Sequence, residues 1–252
     1  MAAVLSKRTR GRLSILVIGV FVVFAALLAG NVLVVAGKAL LGTVGVDVSQ
    51  PIVKVTLSSV LLQGAGFGAI ALGFYGVYQR TVEDGTEYVS LREFVLLYRP
   101  SRPQLLFAVA GYLLLFAVAL LTALVSSLLG VAPAPNEIAT IAQQQPVTLL
   151  LLAALSYLVV APAEELLYRG IIQLHFREAF SPSLAIAATS FIFAISHIGA
   201  ISGTGVTASL ISVFLISVIL GAFYEYTDNL AVPILMHGSY NATQFLLLYI
   251  RA

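Results

Sequence analysis

Apolar segments that are each long enough to cross a lipid bilayer as a helix make up most of this sequence. A helix rises about 1.5 Å per residue, so roughly 20 apolar residues span the hydrocarbon core of a bilayer. Hydrophobic residues make up 60% of the 252 residues and charged residues only 10%, whereas soluble domains carry about 25% charged residues. We therefore predict an all-α fold, a polytopic transmembrane helical bundle with about seven spans. The predicted spans cover approximately 13–36, 53–78, 105–129, 147–180, 181–198, 206–226 and 230–250.

Basic residues concentrate in two polar stretches and predict the orientation of the bundle. One stretch precedes the first span and the other is 79–104, and cytoplasmic loops are the ones that carry excess Lys and Arg. These residues are Lys7, Arg8, Arg10, Arg12, Arg80, Arg92, Arg99 and Arg102. We expect an integral protein of the plasma membrane with a cytoplasmic N-terminus. Within the second stretch, 89–98 is expected to form a short interfacial helix that ends before Pro100.

Two polar connections divide the chain, the 79–104 stretch and the proline-containing 131–146 stretch. We predict an N-terminal accessory region with three spans over 1–145 and a catalytic core over 146–252. The sequence has no cysteine, which excludes disulfides, thiolate metal ligands and a cysteine nucleophile. The formal net charge of +2 is too small to indicate nucleic acid as a partner, and the bilayer itself is the first partner that we expect.

Charged side chains interrupt the fourth apolar segment, where Glu164 and Glu165 are followed by Arg169. A charge at that depth costs several kcal/mol and is usually retained for function. Glu165 and Arg169 are four residues apart and share a helix face, so they can pair with each other. Glu164 lies about 100° further round the helix, which leaves its carboxylate free to point elsewhere. We interpret Glu165 and Arg169 as structural and Glu164 as the residue that does chemistry.

Two histidines and an asparagine lie in later apolar segments, His197 in the fifth and His237 and Asn241 in the seventh. Measured along the helices from the turn near Phe180, Glu164 and His197 lie at a similar height, and His237 and Asn241 share a face. These four residues are expected to converge in one pocket within the membrane. A desolvated glutamate can act as a general base toward water, histidine can assist it, bind a metal or donate to an oxyanion, and asparagine can donate to an oxyanion.

Three short motifs make this arrangement specific. Glu164-Glu165-Leu166-Leu167-Tyr168-Arg169 has the form EExxxR, Phe193-Ala194-Ile195-Ser196-His197 the form FxxxH, and His237-Gly238-Ser239-Tyr240-Asn241 the form HxxxN. In this order on successive apolar helices, they resemble the motifs of the CPBP family. That family comprises the type II CAAX prenyl endopeptidases and the related bacteriocin-processing and immunity (Abi) proteins. The resemblance covers about 146–250.

The resemblance implies an intramembrane endopeptidase whose core opens to the cytosolic side. It implies that Glu164 and His197 activate water, that His237 and Asn241 stabilise the oxyanion, and that Phe193 packs behind His197, with Glu165 and Arg169 in support. The family is also described as metalloprotease-like, and zinc is therefore a candidate cofactor, with Glu164, His197 and His237 as its ligands. We favour the Glu/His/Asn mechanism because asparagine is a poor zinc ligand. The implied substrate is a membrane-anchored protein or peptide, with a prenylated CAAX-type C-terminus as one candidate.

Two other functions fit the same buried charges. A membrane immunity or scaffold protein could keep the fold and bind a partner without cleaving it. An ion-coupled transporter could use intramembrane charges, but such proteins usually show inverted repeats with broken helices, and the sequence shows neither. The sequence contains no HExxH motif for a classical zinc protease. Asp228 is the only aspartate that is a candidate for the membrane region, so a catalytic pair of aspartates is excluded.

Overall fold

The computed structural model describes residues 11–81 and 90–252, and the described part is a bundle of helices without a strand. We number the helices in chain order. They are α1 (Arg12–Thr43), α2 (Pro51–Arg80), α3 (Leu91–Phe94), α4 (Arg102–Leu128), α5 (Glu137–Gln143), α6 (Val147–Arg177), α7 (Pro182–Ser196), α8 (Val206–Thr227) and α9 (Ala231–Ile250). A 3₁₀ turn, Ile198–Ala200, continues α7.

The predicted all-α polytopic class is confirmed. Six helices, namely α1, α2, α4, α6, α7 with its 3₁₀ turn, and α8, are long and apolar enough to cross a membrane. The seventh predicted span is the 20-residue helix α9, which is about 30 Å long at 1.5 Å per residue. Polar residues in the middle of α9 make it less apolar than the other six, so its crossing of the membrane stays a prediction.

The predicted interfacial helix over 89–98 is shorter in the structure, where α3 covers only Leu91–Phe94. Ser90 and Glu93 begin α3 with a capping box. The helix then ends because Leu96 takes a left-handed conformation with φ of 53°. The amides of Leu96 and Leu97 bond back to the carbonyls of Glu93 and Arg92, which is the Schellman pattern of a helix end. Residue 89 lies outside the described residues, as do Lys7, Arg8 and Arg10.

Helix α6 lies at the centre of the bundle. Its second half is enclosed by α1, α2 and α7, and six of its side chains from Leu167 to Phe176 belong to the largest apolar core. Two stretches of α6 have π-helical hydrogen bonding, Ser156–Val160 and Leu166–Gln173. They flank the Glu164-Glu165 pair on both sides. π turns are rare and are found mostly at functional sites, and here they flank two buried carboxylates.

Polar side chains at four-residue spacing join α6 to α8. Arg169 donates to the carbonyl and hydroxyl of Ser217, and Gln173 donates to the carbonyl of Gly221 and to Glu225. Arg177 Nε lies 3.4 Å from Glu225 Oε1 at the end of the row. This ladder of hydrogen bonds fixes the rotation of α6 against α8 and therefore the directions in which the two glutamates point.

The two ends of the bundle differ in charge and in their contacts. We call one end the basic face, which consists of the helix ends at Arg12, Arg80, Arg102 and Arg177 and the 90–101 connection. There the Leu230 amide donates to the carbonyl of Leu96, and the Tyr98 amide donates to Asn229 Oδ1. We call the other end the opposite face, which consists of α5 and the 129–136 and 201–205 connections. Those connections are joined by the Asn136–Ile201 bridge and by the bond from the Ser209 hydroxyl to the carbonyl of Ala134.

Glycines bring α1 and α2 into backbone contact. A Cβ atom added to Gly66 would lie 2.5 Å from Gly30 Cα and 2.8 Å from Gly30 N, whereas one added to Gly68 would meet no atom within 4 Å. Gln63 lies three residues before Gly66 on α2 and faces α6, where its side chain donates to Glu164. Close approach at small residues is a common way of packing membrane helices, and here it sets the position of the α2 side chains in the bundle.

We expect Gly66→Ala to destabilise the bundle, because its added methyl group meets main-chain atoms of α1 that cannot move aside. Overpacking of this kind costs about 1–3 kcal/mol, which should lower the melting temperature of the protein in detergent. Gly68→Ala is the matched control on the same helix and should leave the melting temperature unchanged. Equal melting temperatures for the two variants would contradict the packing of α1 on α2.

Candidate active site

A buried carboxylate joins three helices at the centre of the site. Glu165 Oε1 accepts hydrogen bonds from Arg169 NH1 (2.8 Å) and from His237 Nδ1 (2.7 Å). Glu165 and Arg169 have no solvent-exposed area, and His237 is 5% exposed. Arg169 in turn bonds to Ser217, so the chain of contacts runs from α9 through α6 to α8. Since a carboxylate can only accept, the proton of this His237 bond lies on Nδ1.

The bond to Glu165 orients the His237 ring toward the second glutamate. With Nδ1 directed at Glu165, Nε2 points to Glu164, whose Oε2 lies 3.7 Å away. Glu164 is 2% exposed, and its other oxygen, Oε1, accepts a hydrogen bond from Gln63 Nε2 at 2.8 Å. The two oxygens of Glu164 therefore have different surroundings. Oε1 is fixed by an amide from α2, and Oε2 faces an imidazole nitrogen that it does not bond.

His197 lies at the end of α7, in agreement with a fifth predicted span that ends at 198. It is the C-cap residue of α7, since the chain tightens into the 3₁₀ turn immediately after it. Its Nδ1 donates to the carbonyl of Phe193 (2.7 Å), which leaves Nε2 as the nitrogen with a free lone pair in the neutral ring. The Phe193 ring lies 4.5 Å from the His197 ring and 6.2 Å from the His237 ring.

The predicted residues line a cavity of about 820 Å³. Glu164, His197, His237 and Asn241 all line it, as do Gln63 and Phe193. Glu165 and Arg169 do not line it and lie behind Glu164 and His237. The cavity also contains several hydroxyl groups, those of Ser58, Ser59, Thr122, Ser156, Ser196, Ser209 and Ser212. These polar groups give water molecules in the cavity the hydrogen-bond partners that they need.

The four predicted residues line the same cavity, but they do not all approach one another closely. Glu164 and His237 approach within 3.7 Å, while no hydrogen bond joins His197 or Asn241 to Glu164 among the described residues. The same part of the chain contains no group of three or more His, Asp and Glu side chains that could hold a metal ion. Glu164, His197 and His237 therefore do not fit the zinc-ligand set expected from the resemblance.

Gln63 was not among the site residues predicted from the sequence. Gln63 is an isolated amide in an apolar segment, and a lone polar residue in a span usually faces a polar partner inside the bundle. That signal would have found it. The pairing of Tyr168 with Ser196, whose oxygens lie 2.7 Å apart, was not predicted either. Nothing in the sequence indicates that pair, because a buried tyrosine hydroxyl usually finds a hydrogen-bond partner but its position in the chain does not say which.

A comparison with protein families agrees with this geometry. The helices and their buried polar groups define a polytopic membrane protein with a polar site inside the bundle. Residues 146–243 match the family model described as Type II CAAX prenyl endopeptidase Rce1-like. The matched segment contains all three motifs and confirms the resemblance read from them. No curated protein and no solved structure matches the chain.

We expect Arg169→Met to destabilise the protein strongly, because it leaves the Glu165 carboxylate buried without its cation. Breaking a buried ion pair on one side costs about 3–5 kcal/mol, and the Arg169 side chain is fully buried. Arg177→Met is the comparison on the same helix: the Arg177 side chain is 19% exposed, so water can partly compensate for the lost cation and the loss of stability should be smaller than for Arg169→Met. Thermal unfolding in detergent measures both.

The double variant Glu165→Gln/Arg169→Met separates charge from packing. Removing the stranded carboxylate should recover part of the melting temperature that Arg169→Met loses. If the double variant were less stable than Arg169→Met alone, the buried charge would not be the cause of the loss.

Proposed function

We propose that the protein is an intramembrane endopeptidase that hydrolyses a peptide bond near the C-terminus of a membrane-associated polypeptide. The observation that carries this proposal is the pair of Glu164 and His237 on the wall of a cavity inside a membrane bundle, where Glu164 Oε2 lies 3.7 Å from His237 Nε2. The Rce1-like domain supports a protease of the CAAX endopeptidase kind in general terms. A prenylated C-terminus is one substrate class that this family match suggests.

In the proposed reaction, Glu164 is the general base. A water molecule beside Glu164 Oε2 gives its proton to the carboxylate as the water oxygen bonds to the carbonyl carbon of the substrate. His197, which presents Nε2 to the cavity, assists in orienting this water. The carbonyl π electrons move onto the oxygen and form a tetrahedral oxyanion. Glu164 then passes its proton to the departing amine as the C–N bond breaks, and the products are a carboxyl terminus and an amino terminus.

Oxyanion stabilisation is assigned to His237 and Asn241. The Asn241 side chain can donate an amide hydrogen, and donors aimed at a developing oxyanion typically contribute a few kcal/mol. His237 can donate from Nε2 only when its ring carries both protons, because its Nδ1 proton is already directed at Glu165. Glu165 and Arg169 therefore act through His237 as positioning residues and do not touch the substrate. Phe193 supports both imidazole rings from one side.

The substrate must enter a chamber that is formed by helices. A volume of about 820 Å³ lies within the range of roughly 300–1,000 Å³ that is typical of small-ligand sites. It accommodates a short extended segment of polypeptide and not a folded domain. We propose a membrane-anchored protein or peptide as the partner, since an anchor holds the scissile bond beside the bilayer. We also propose the plasma membrane as the location, with the N-terminus in the cytoplasm.

We predict that Glu164→Gln abolishes peptide hydrolysis without lowering the melting temperature. A glutamine keeps the size of the side chain and an oxygen for the Gln63 amide, but it cannot take a proton from water. Loss of a general base lowers the rate typically 10²–10⁴-fold. The measurement is cleavage of a membrane-anchored peptide by the purified protein, with Glu178→Gln as a carboxylate control outside the site.

A Glu164→Gln variant that cleaves at the rate of the natural sequence would contradict the role of Glu164. A natural-sequence protein that cleaves no membrane peptide, yet binds one stably, would favour the scaffold interpretation.

We predict that Gln63→Met lowers kcat with little change in KM, because the amide of Gln63 fixes the base and is not expected to bind the substrate. A hydrogen bond to a charged group contributes about 1.5–3 kcal/mol, so kcat should fall roughly 10- to 100-fold. Its pH profile should shift as well, because Glu164 Oε1 loses its only amide partner among the described residues. Gln145→Met, an exposed residue away from the cavity, is the control. An unchanged kcat and pH profile would show that Gln63 has no part in the reaction.

A further inference from the structure

Two hydroxyl groups connect α6 to the end of α7 beside the candidate active site. The oxygens of Tyr168 and Ser196 lie 2.7 Å apart, and Ser196 Oγ lies 2.7 Å from the carbonyl oxygen of Phe193. Tyr168 has no solvent-exposed area, whereas Ser196 lines the cavity. Among the described residues, the bond between Tyr168 and Ser196 is the one side-chain hydrogen bond that joins α6 to α7.

The direction of each bond follows from the acceptor at the end of the row. A carbonyl oxygen can only accept, so the Ser196 hydroxyl donates its proton to the carbonyl of Phe193. The Ser196 oxygen is then left to accept, and the proton between the two hydroxyls comes from Tyr168. The same carbonyl accepts a second hydrogen bond from His197 Nδ1, at 2.7 Å. Tyr168, Ser196 and His197 are therefore joined through a single main-chain oxygen.

The Phe193 carbonyl is available to two side chains because α7 ends there. In a regular helix it would accept the amide of the residue four positions later, which is His197. That amide bonds to the carbonyl of Ala194 instead, as the chain tightens into the 3₁₀ turn Ile198–Ala200. A carbonyl oxygen has two lone pairs, and here Ser196 and His197 use one each. The end of α7 thus fixes the His197 ring with its proton on Nδ1 and a free lone pair on Nε2.

The position of the Tyr168 hydroxyl is set by α6 and α2. Tyr168 lies four residues after Glu164, about one helical turn along α6. Its ring packs edge-on against Phe67 of α2, with the ring centroids 6.2 Å apart, and against Phe193, at 4.7 Å. The hydroxyl is therefore a fixed point of the helix that carries Glu164. A bond from this point to Ser196 sets where the last turn of α7 lies relative to Glu164.

We propose that Tyr168 and Ser196 are positioning residues for His197. They hold the last turn of α7 against the helix of Glu164, and with it the carbonyl that fixes the tautomer and the direction of the His197 ring. The water that Glu164 activates then meets the same nitrogen, Nε2, in every turnover. The effect on turnover rests on the proposed function, whereas the orientation of His197 rests on the hydrogen bonds alone.

The alternative is that Ser196 only satisfies a buried tyrosine hydroxyl, since such groups usually find a partner. In that case, loss of either hydroxyl would lower stability and leave the kinetics of the folded protein unchanged. Tyr224 provides the matched control. Its hydroxyl is also buried and donates to the carbonyl of Val95 in the 90–101 connection, and neither of these two residues lines the cavity.

The first test is the kinetics of cleavage of a membrane-anchored peptide by the purified full chain. We expect Tyr168→Phe and Ser196→Ala each to lower kcat about 3- to 10-fold with little change in KM, as for the loss of one neutral hydrogen bond. The double variant should lose no more than the larger single loss, because the two hydroxyls form one connection. Tyr224→Phe should keep the natural kcat. Unchanged kcat in both single variants, or additive losses in the double variant, would overturn the proposal.

The second test observes His197 without catalysis, by nitrogen-15 magnetic resonance of labelled histidines at a pH where their rings are neutral. The chain has three histidines, and His197→Gln identifies the signals of His197. We expect a protonated Nδ1 and an unprotonated Nε2 in the natural sequence and in Tyr224→Phe, and a mixture of tautomers in Tyr168→Phe and Ser196→Ala. Identical His197 signals in every one of these proteins would overturn the positioning role.

The two tests separate failure of the proposed positioning from failure of the proposed function. A natural-sequence protein that cleaves no peptide would reject the proposed function. If its His197 signals still changed in Tyr168→Phe and Ser196→Ala, the positioning of His197 by these hydroxyls would stand.

Discussion

The site depends on one carboxylate that is buried between two cationic or proton-donating partners. Glu165 receives the guanidinium of Arg169 from its own helix and the imidazole Nδ1 of His237 from α9. An ionised carboxylate without such partners would be very costly in this environment. The three side chains are therefore retained together, and they fix where His237 points. Because Nδ1 is committed to Glu165, Nε2 must face Glu164, and the geometry of the proposed chemistry follows from this constraint.

The π-helical segments of α2 and α6 also help to set the directions of the side chains in the site. Adjacent residues of a regular helix lie about 100° apart, which sends Glu164 and Glu165 toward different neighbours. The π turns before and after the pair, and the π segment Ser58–Phe67 of α2, adjust the rotation of both helices around this point. Gln63 lies in that α2 segment and bonds Glu164. The division into an accessory region and a catalytic core stays a prediction, but a residue of the first region contributes to the site of the second.

Much of this structure could be predicted from the sequence, because a bilayer restricts where apolar segments and charged residues can lie, and both can be read from hydropathy and charge. The spans, the pairing of Glu165 with Arg169 and the set of residues around Glu164 all follow from those signals. The contribution of Gln63 could not be placed, since it depends on the approach of α1 and α2 at Gly30 and Gly66 and on π turns without a sequence signature.

Isotope transfer from solvent tests most directly whether this chamber directs water onto a peptide bond. The purified protein is incubated with a membrane-anchored peptide in water enriched in oxygen-18, and the products are identified by mass spectrometry. We predict one cleavage position, with solvent oxygen-18 in the newly formed carboxyl terminus and a free amine on the departing fragment. Intact peptide, or products whose new carboxyl terminus contains no solvent oxygen, would contradict hydrolysis by this site.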